Sequence, residues 1–342
     1  MPGHGRRTIA EVGEQWLVER IQRAVRHSAT GDVAVIGDDA AILPALRGAR
    51  HPMVVSTDVL VEGTHWRGGH LTPAQLGRRA LVANLSDLAA MAATPRWFML
   101  GLAMPPSQPV AWFQGFLRGL MRAADEFDCP LIGGDLVRAP VVSISITICG
   151  QCHTARPARR DAAHPGDTVC LTGDIGRARL ALDVLDDRSR PQRGGARIIA
   201  KHRHPVPRLS EASALARGGA VRAMIDISDG LISDIGWICR LSGVGAEIDL
   251  AALPVAPVVR RCLADRGEDC MTWAASSGEE FELLLTTRRR PEDLRALLRD
   301  EGIRTPITPI GRITSGRRVR WTRAGHPVAP PRNGLFRHFS QG

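Results

Sequence analysis

Five short acidic motifs, spread between Asp38 and Gly230, constrain this chain more than any other feature. They are Asp38-Asp39, Ser56-Thr57-Asp58, Asn84-Leu85-Ser86-Asp87, Gly133-Gly134-Asp135 and Asp226-Ile227-Ser228-Asp229-Gly230. Each aspartate stands near Gly, Ser, Thr or another Asp. Carboxylates gathered into one site repel one another unless cations neutralise them. Hard oxygen ligands with small neighbours suit Mg²⁺, which keeps several waters and is held by one or two carboxylates per ion together with substrate phosphates. A fold that collects these motifs would build a multi-metal phosphate site suited to phosphoryl transfer.

The residues around the motifs read as alternating strands and helices, an α/β chain with no internal repeat. MVVSTDVLV (Met53 to Val61), WFMLGLAM (Trp97 to Met104) and VVSISITICG have strand character. Between the first two, Thr72 is placed to cap a helix with Pro73 at its first position; Leu76, Ala80, Ala83, Leu88 and Met91 keep helical spacing, and Pro95 is the expected stop. A second amphipathic helix is expected from about Val110 to Phe127, with Trp112, Phe116, Leu120 and Ala124 on one stripe. The Arg- and Pro-rich stretch TARPARRDAAHPGD reads as a connection, dividing the chain into domains 1–150 and 151–342. Beyond it, strands are expected at DTVCLTG, into Asp226, at AEIDL, at Phe281 to Thr287 and around Ile310 and Val319. Helices are expected from Leu231 and Pro291, and a loop over Asp186 to Gly195.

Composition narrows the class. A formal charge of +10 invites a nucleic-acid reading, but Lys201 is the single lysine among 45 Lys and Arg residues, and the arginines form no stripe. That skew fits codon bias across a genome; no nucleic-acid surface is expected, although a positive field favours anionic substrates such as ATP. The N-terminal arginines lack an apolar segment behind them, and no run of about 18 apolar residues could span a bilayer, so a cytoplasmic protein without membrane contact is expected. Seven cysteines make no disulfide framework. Cys149-Gly150-Gln151-Cys152-His153 matches the spacing of a c-type haem attachment site, but it follows a strand and has no paired zinc ligands, so it is expected to be chemically silent.

Within the motifs, polar residues interrupt the apolar strand at Ser56-Thr57-Asp58, where burial without partners would cost a few kcal/mol. Asp87 sits inside a helix of good propensity, where aspartate is a poor choice unless something outside the backbone favours it. Gly133-Gly134-Asp135 reads as a turn after the strand CPLI whose bare backbone could approach a phosphate. Asp226 to Gly230 reads as a strand-to-helix junction aiming amides at an anion, with an ordinary helix cap as the plainer account of Asp229. The chain has neither GxxxxGK[ST] nor the HRD and DFG set of protein kinases.

Taken in order, IGDDAAIL, STDVLVEGTHW, NLSDLAAMAATPRW, LIGGD, DISDGLISDIG and SGEEFELLLT resemble the thiamine-monophosphate kinases, relatives of aminoimidazole ribonucleotide synthetase. The resemblance runs from about Gly37 to Phe339. It implies ATP-dependent phosphorylation of thiamine phosphate to thiamine diphosphate. The fold it implies is an α/β (α+β), two-domain aminoimidazole ribonucleotide synthetase-like architecture. The N-terminal sheets would form a barrel across a homodimer, the C-terminal domain would be mixed α/β, and the active site would lie in the cleft between domains. Carried over residue by residue, it implies Mg²⁺ ligands at Asp39, Ser56, Thr57, Asp58, Asp87, Asp135, Asp226 and Asp229. ATP contacts fall on Gly134, Asp135, Arg160 and Ser228, and substrate contacts on His65, Glu279 and Phe336, the last as a stacking partner for the thiamine rings. The family often has GGED where this chain has Ser277-Gly278-Glu279-Glu280.

With an acceptor phosphate already ionised, catalysis is expected to be positioning plus charge neutralisation by Asp58, Asp87, Asp135 and Arg160 around the metal ions, without a covalent intermediate. Selenide-activating relatives need a reactive Cys or selenocysteine near the N-terminus, but the first cysteine here is Cys129; hydrogenase-maturation relatives end in a reactive Cys, and this chain ends FRHFSQG. Another ATP-dependent activity of the same superfamily, or a non-catalytic RNA-binding or regulatory role on this scaffold, are the alternatives at this point.

Overall fold

Thr72 opens the helix that organises the N-terminal half. Its hydroxyl accepts the Gln75 N–H while the Gln75 side chain accepts the Thr72 N–H, and Pro73 supplies the preset first turn. The computed structural model describes residues 38–43, 51–186 and 195–331. In this half they form β1 (Ala41–Leu43), β2 (Met53–Val61), α1 (Pro73–Ala90), β3 (Ala93–Met104), α2 (Val110–Glu126), β4 (Leu131–Arg138) and β5 (Ser143–Cys152). The strands make one sheet in the order β1-β2-β5-β3-β4, antiparallel except for the β3–β4 pair.

Helices α1 and α2 cover one face of this sheet. Leu81, Leu85 and Leu88 of α1 and Phe116 and Leu120 of α2 bury against Phe98, Ile144, Ile146 and Ile148. The helix backbones nearly touch. A Cβ on Gly77 would lie 2.2 Å from the Phe116 carbonyl oxygen, and one on Gly119 would lie 1.8 Å from that of Ala74. The other face is left uncovered among the described residues, with Val59 and Met99 exposed there and Ile132, Leu136 and Val137 exposed on edge strand β4.

The C-terminal half comprises β6 (Thr168–Thr172), α3 (Arg177–Leu185), α4 (Gly195–Arg203), α5 (Leu209–Arg217), β7 (Met224–Asp226), α6 (Leu231–Ser242) and β8 (Gly245–Asp249). It continues with α7 (Pro257–Ala264), α8 (Cys270–Ala275), β9 (Leu283–Thr287), α9 (Pro291–Asp300), β10 (Ile307–Thr314), β11 (Val319–Arg323) and β12 (His326–Val328). Its sheet runs β12-β11-β8-β10-β6-β9-β7, with β11 and β8 parallel and the other pairs antiparallel. Helix α1 also packs on α5 and β7, so it is enclosed on nearly every side and joins the two halves.

Two expectations need correction. Pro95 does not end α1; the chain reverses at Met91 and Ala92, where Ala92 takes φ of 50°, and Pro95 lies inside β3. It is tolerated there because the register against β5 breaks between Pro95 and Trp97, where a missing N–H leaves no ladder bond unmade. Gly133-Gly134-Asp135 is not a turn but part of β4. Gly134 is required by strand packing, since a Cβ would sit 1.9 Å from the Leu100 carbonyl oxygen. Helices α3, α4, α5, α7 and α8 were not anticipated. Residues 187–194 of the expected loop, and Phe336, lie outside the described residues. No helix among the described residues is long and apolar enough to cross a membrane.

Candidate active site

The strand period and the helix period bring the first two acidic motifs together. Ser56 and Asp58 alternate onto the α1 side of β2, and Asn84 and Asp87 lie one turn apart on the facing stripe of α1. Ser56 Oγ donates to Asp87 Oδ2 at 2.6 Å, and the Asp58 amide donates to Asn84 Oδ1 at 3.1 Å. Thr57 points to the opposite face, where its hydroxyl donates to the Ile146 carbonyl at 3.1 Å.

The C-terminal half closes the site. Strand β7 ends at Asp226, whose Oδ2 accepts from Ser86 Oγ at 2.6 Å and whose Oδ1 faces Ser228 Oγ at 3.4 Å. Asp39, next to β1, completes the group: carboxylate oxygens of Asp39, Asp87 and Asp226 all lie within 4.8 Å of one another. Arg160 grips Asp39 in a bidentate contact through Nε and Nη2, with Nε 2.8 Å from Oδ2, and its own amide donates to Asp38 at 3.3 Å. The carbonyl of Arg160 is braced by Ser242 Oγ at 3.0 Å.

Charge is crowded here beyond what one arginine offsets. Burial, then the Asp39 charge, pushes Asp226 up to about 8. Asp87 is raised well above the ordinary carboxylate value by burial and by Asp58, Asp226 and Asp39. Burial and then Asp39 bring Asp38 to about 6. Asp234, in the first turn of α6, is fully buried with Oδ2 unpaired among the described residues, and it too is raised by burial and by Asp229 and Asp226. Sequence reasoning passed over Asp234 because an acid in a helix's first turn has an ordinary explanation. Ser86 stood within a motif, but the strand that it meets is 140 residues away.

The remaining predicted residues divide. Glu279 sits beside the site at φ of 56°, its amide donating to the Ser228 carbonyl at 2.7 Å and its carboxylate 2.7 Å from Arg79. Burial opposes its charge, but Arg79 and His202 outweigh that and hold its pKa below the ordinary range. His65 follows β2, and its Nδ1 accepts the Val61 amide at 2.9 Å, which leaves the proton on Nε2. Asp135 is exposed on β4, in the register row of Gly101, Ser145 and Val59, and so faces away from Asp58. Its Oδ1 accepts the Leu136 amide at 2.9 Å, and it is not one of the three gathered carboxylates. Glu280 turns away from the site into the C-terminal half. The CGQCH segment is built into β5: Cys149 and Cys152 are buried, three residues apart and hence on opposite faces, and burial raises both thiols, Cys152 to about 12.

Carboxylates from two α/β halves converge at their seam beside an arginine, an acidic cluster that could hold a metal ion. Comparison with known proteins agrees. Residues 37–152 match the family described as AIR synthase related protein, N-terminal domain, and residues 164–322 match its C-terminal domain. The fold is thus the two-domain AIR synthase type. A thiamine-monophosphate kinase of Synechococcus elongatus is 40% identical over 316 residues, covering 90% of each chain, and that of Salmonella typhimurium is 36% identical over 96% of this chain and 98% of its own. The solved structure of AaThiL complexed with AMPPCP and TMP superposes with a TM-score of 0.83 at 27% identity, covering 98% of this chain and 100% of that one. The chain belongs to the thiamine-monophosphate kinase family.

Proposed function

We propose that this protein transfers the γ-phosphoryl group of ATP to thiamine phosphate, giving thiamine diphosphate, at the seam between its two domains. The observation that carries the reading is the convergence of Asp39, Asp87 and Asp226 within 4.8 Å, in a chain whose relatives are thiamine-monophosphate kinases. The all-oxygen donor set and the raised carboxylate pKa values fit Mg²⁺, with Asp39, Asp87 and Asp226 as ligands and Ser56, Asp58 and Asp229 as further members of the proposed set; Thr57 and Asp135, whose side chains meet the other face of the sheet, belong to it by resemblance alone. When bound, Mg²⁺ supplies charge neutralisation to the phosphates of both substrates.

The chain's own groups do the positioning. Arg160 stands where a guanidinium can leave Asp39 for a phosphate once cations share the carboxylates, and Gly134 and Ser228 complete the proposed ATP contacts. Glu279 and His65 belong to the thiamine side, where a fixed imidazole tautomer presents a donor and Glu279 a negative charge to the cationic thiazolium. Phe336 is assigned a stacking role by resemblance alone. The acceptor phosphate is already ionised, so no strong base is needed.

Initial-rate lines at several fixed thiamine phosphate concentrations are expected to intersect, and ATP alone is expected to leave no label on the protein. Parallel lines with a labelled enzyme would overturn direct transfer. Turnover of formylglycinamidine ribonucleotide in place of thiamine phosphate would overturn the substrate assignment.

A homodimer built on the open face of the N-terminal sheet is part of the same proposal, supported by the exposure there of Val59, Met99 and Val137, with Val137 50% exposed. Light scattering should give twice the chain mass of 37.0 kDa, and Val137→Arg should shift it toward one. A monomeric wild type would exclude the dimer.

A further inference from the structure

Segment 277–282 carries three consecutive-to-alternate acids, and they do not share a direction. Glu279 faces the site, while Glu280 and Glu282 enter a sealed polar pocket in which both side chains are 0% exposed. The pocket is centred on Lys201 of α4. Its Nζ lies 2.6 Å from the Asp174 carbonyl oxygen, 2.8 Å from Glu280 Oε2 and 3.1 Å from Glu282 Oε1. Two of these contacts are hydrogen bonds and the Glu280 contact is a close ion pair, an arrangement suited to a compact ammonium group where a guanidinium would bring a flat fork of five donors. This is the one basic position at which the chain keeps lysine.

The rest of the pocket locks the same segment. Arg208 takes Glu282 with Nε at 2.7 Å and NH2 at 2.6 Å. Glu280 Oε1 accepts the Gly176 amide at 2.6 Å and Ser277 Oγ at 2.7 Å. Burial works against the ammonium, but Glu280, Glu282 and Asp174 outweigh it, so Lys201 stays charged. Backbone bonds then join the segment to the carboxylate loop: Glu280 and Phe281 amides donate to the Ile227 carbonyl at 3.0 Å, and the Ile227 amide donates to the Glu282 carbonyl at 2.7 Å. Helix α4 also reaches Glu279 by a second route, since the His202 carbonyl accepts from Arg79 at 2.8 Å and Arg79 holds Glu279. Glu279 and Phe281 need this support, both standing at positive φ, 56° and 52°.

We infer that Lys201 is a positioning residue for the thiamine side of the site, fixing segment 277–282 so that Glu279 is presented to the substrate. The inference rests on the kinase reading above. Lys201→Arg keeps the charge but not the compact fit between Asp174, Glu280 and Glu282. It is expected to raise KM for thiamine phosphate about 10-fold or more while KM for Mg-ATP stays within about 3-fold. If that variant does not fold, Lys201→Met with Glu280→Gln removes one charge of each sign and carries the same measurement. Unchanged KM values, an equal rise for both substrates, or a lowered melting temperature with normal kinetics would each overturn the inference. Amide hydrogen exchange separates it from the kinase reading. Even if wild type fails to turn over thiamine phosphate, amides of 277–282 should exchange faster in the variant while those of β10 do not, and equal exchange would overturn the positioning role.

Discussion

Asp87→Asn and Asp58→Asn are each expected to slow turnover of thiamine phosphate by roughly 10²-fold or more with the fold intact. Both substitutions keep size and hydrogen-bonding capacity, so Ser56 can still donate to residue 87, but each removes a negative charge from the place where carboxylates converge. The sign of the stability change distinguishes a cation site from a structural ion pair. Asp87 is surrounded by Asp58, Asp226 and Asp39, so without Mg²⁺ the variant should melt at the same temperature as wild type or higher. A clear loss of metal-free stability, or activity within a few-fold of wild type in both variants, would remove the metal assignment.

Between pH 6.5 and 8, the metal-free protein should become less stable as pH rises, and Mg²⁺ should restore more stability at pH 8 than at pH 6.5. Asp226 has a folded pKa of about 8 against an ordinary 3.8, so across that interval the native state holds a proton that the unfolded chain has released. Stability therefore falls with rising pH until the folded pKa is passed. The lower limit is set by His202, whose pKa burial lowers to about 3 from 6.5; its opposite slope is half gone at pH 6.5 and fades over about one further pH unit. Cation binding displaces the same proton, which ties the Mg²⁺ effect to pH. Melting curves with and without Mg²⁺ test this. Asp226→Asn should flatten both trends, and a metal effect independent of pH in wild type would contradict the account.

The elements that were legible in the sequence are those whose signals are local. Thr72-Pro73 marks a helix start by itself, and the nine residues of β2 read directly from their β-branched pattern. The start of α6 after Gly230, with φ of 105°, was legible for the same reason. Signals misread were those that tertiary context reverses. Pro95 stops helices, yet a register break lets it lie in a strand, and Gly134 suggests a turn where it serves strand contact. At the site, Asp39, Asp87 and Asp226 are brought together, as the recurrence of small-neighboured aspartates suggested. Thr57 and Asp135 are not, because strand alternation and sheet register decide which face a side chain meets. The pocket of Lys201, Glu280 and Glu282 gave no signal, since its members are ordinary charges whose pairing spans 81 residues.

Ser86 on one domain donates to Asp226 on the other, and the carboxylates on either side of this bond are those that a bound cation would share. In the proposed metal site neither domain owns a complete coordination sphere. Metal affinity is then an inter-domain quantity: any substitution that shifts α1 against β7, even far from the cleft, rescales it. The backbone contacts between α1 and α2 at Gly77 and Gly119 leave no room for a side chain, so these two glycines fix where α1 lies on its own domain and, through it, where Asp87 meets Asp226.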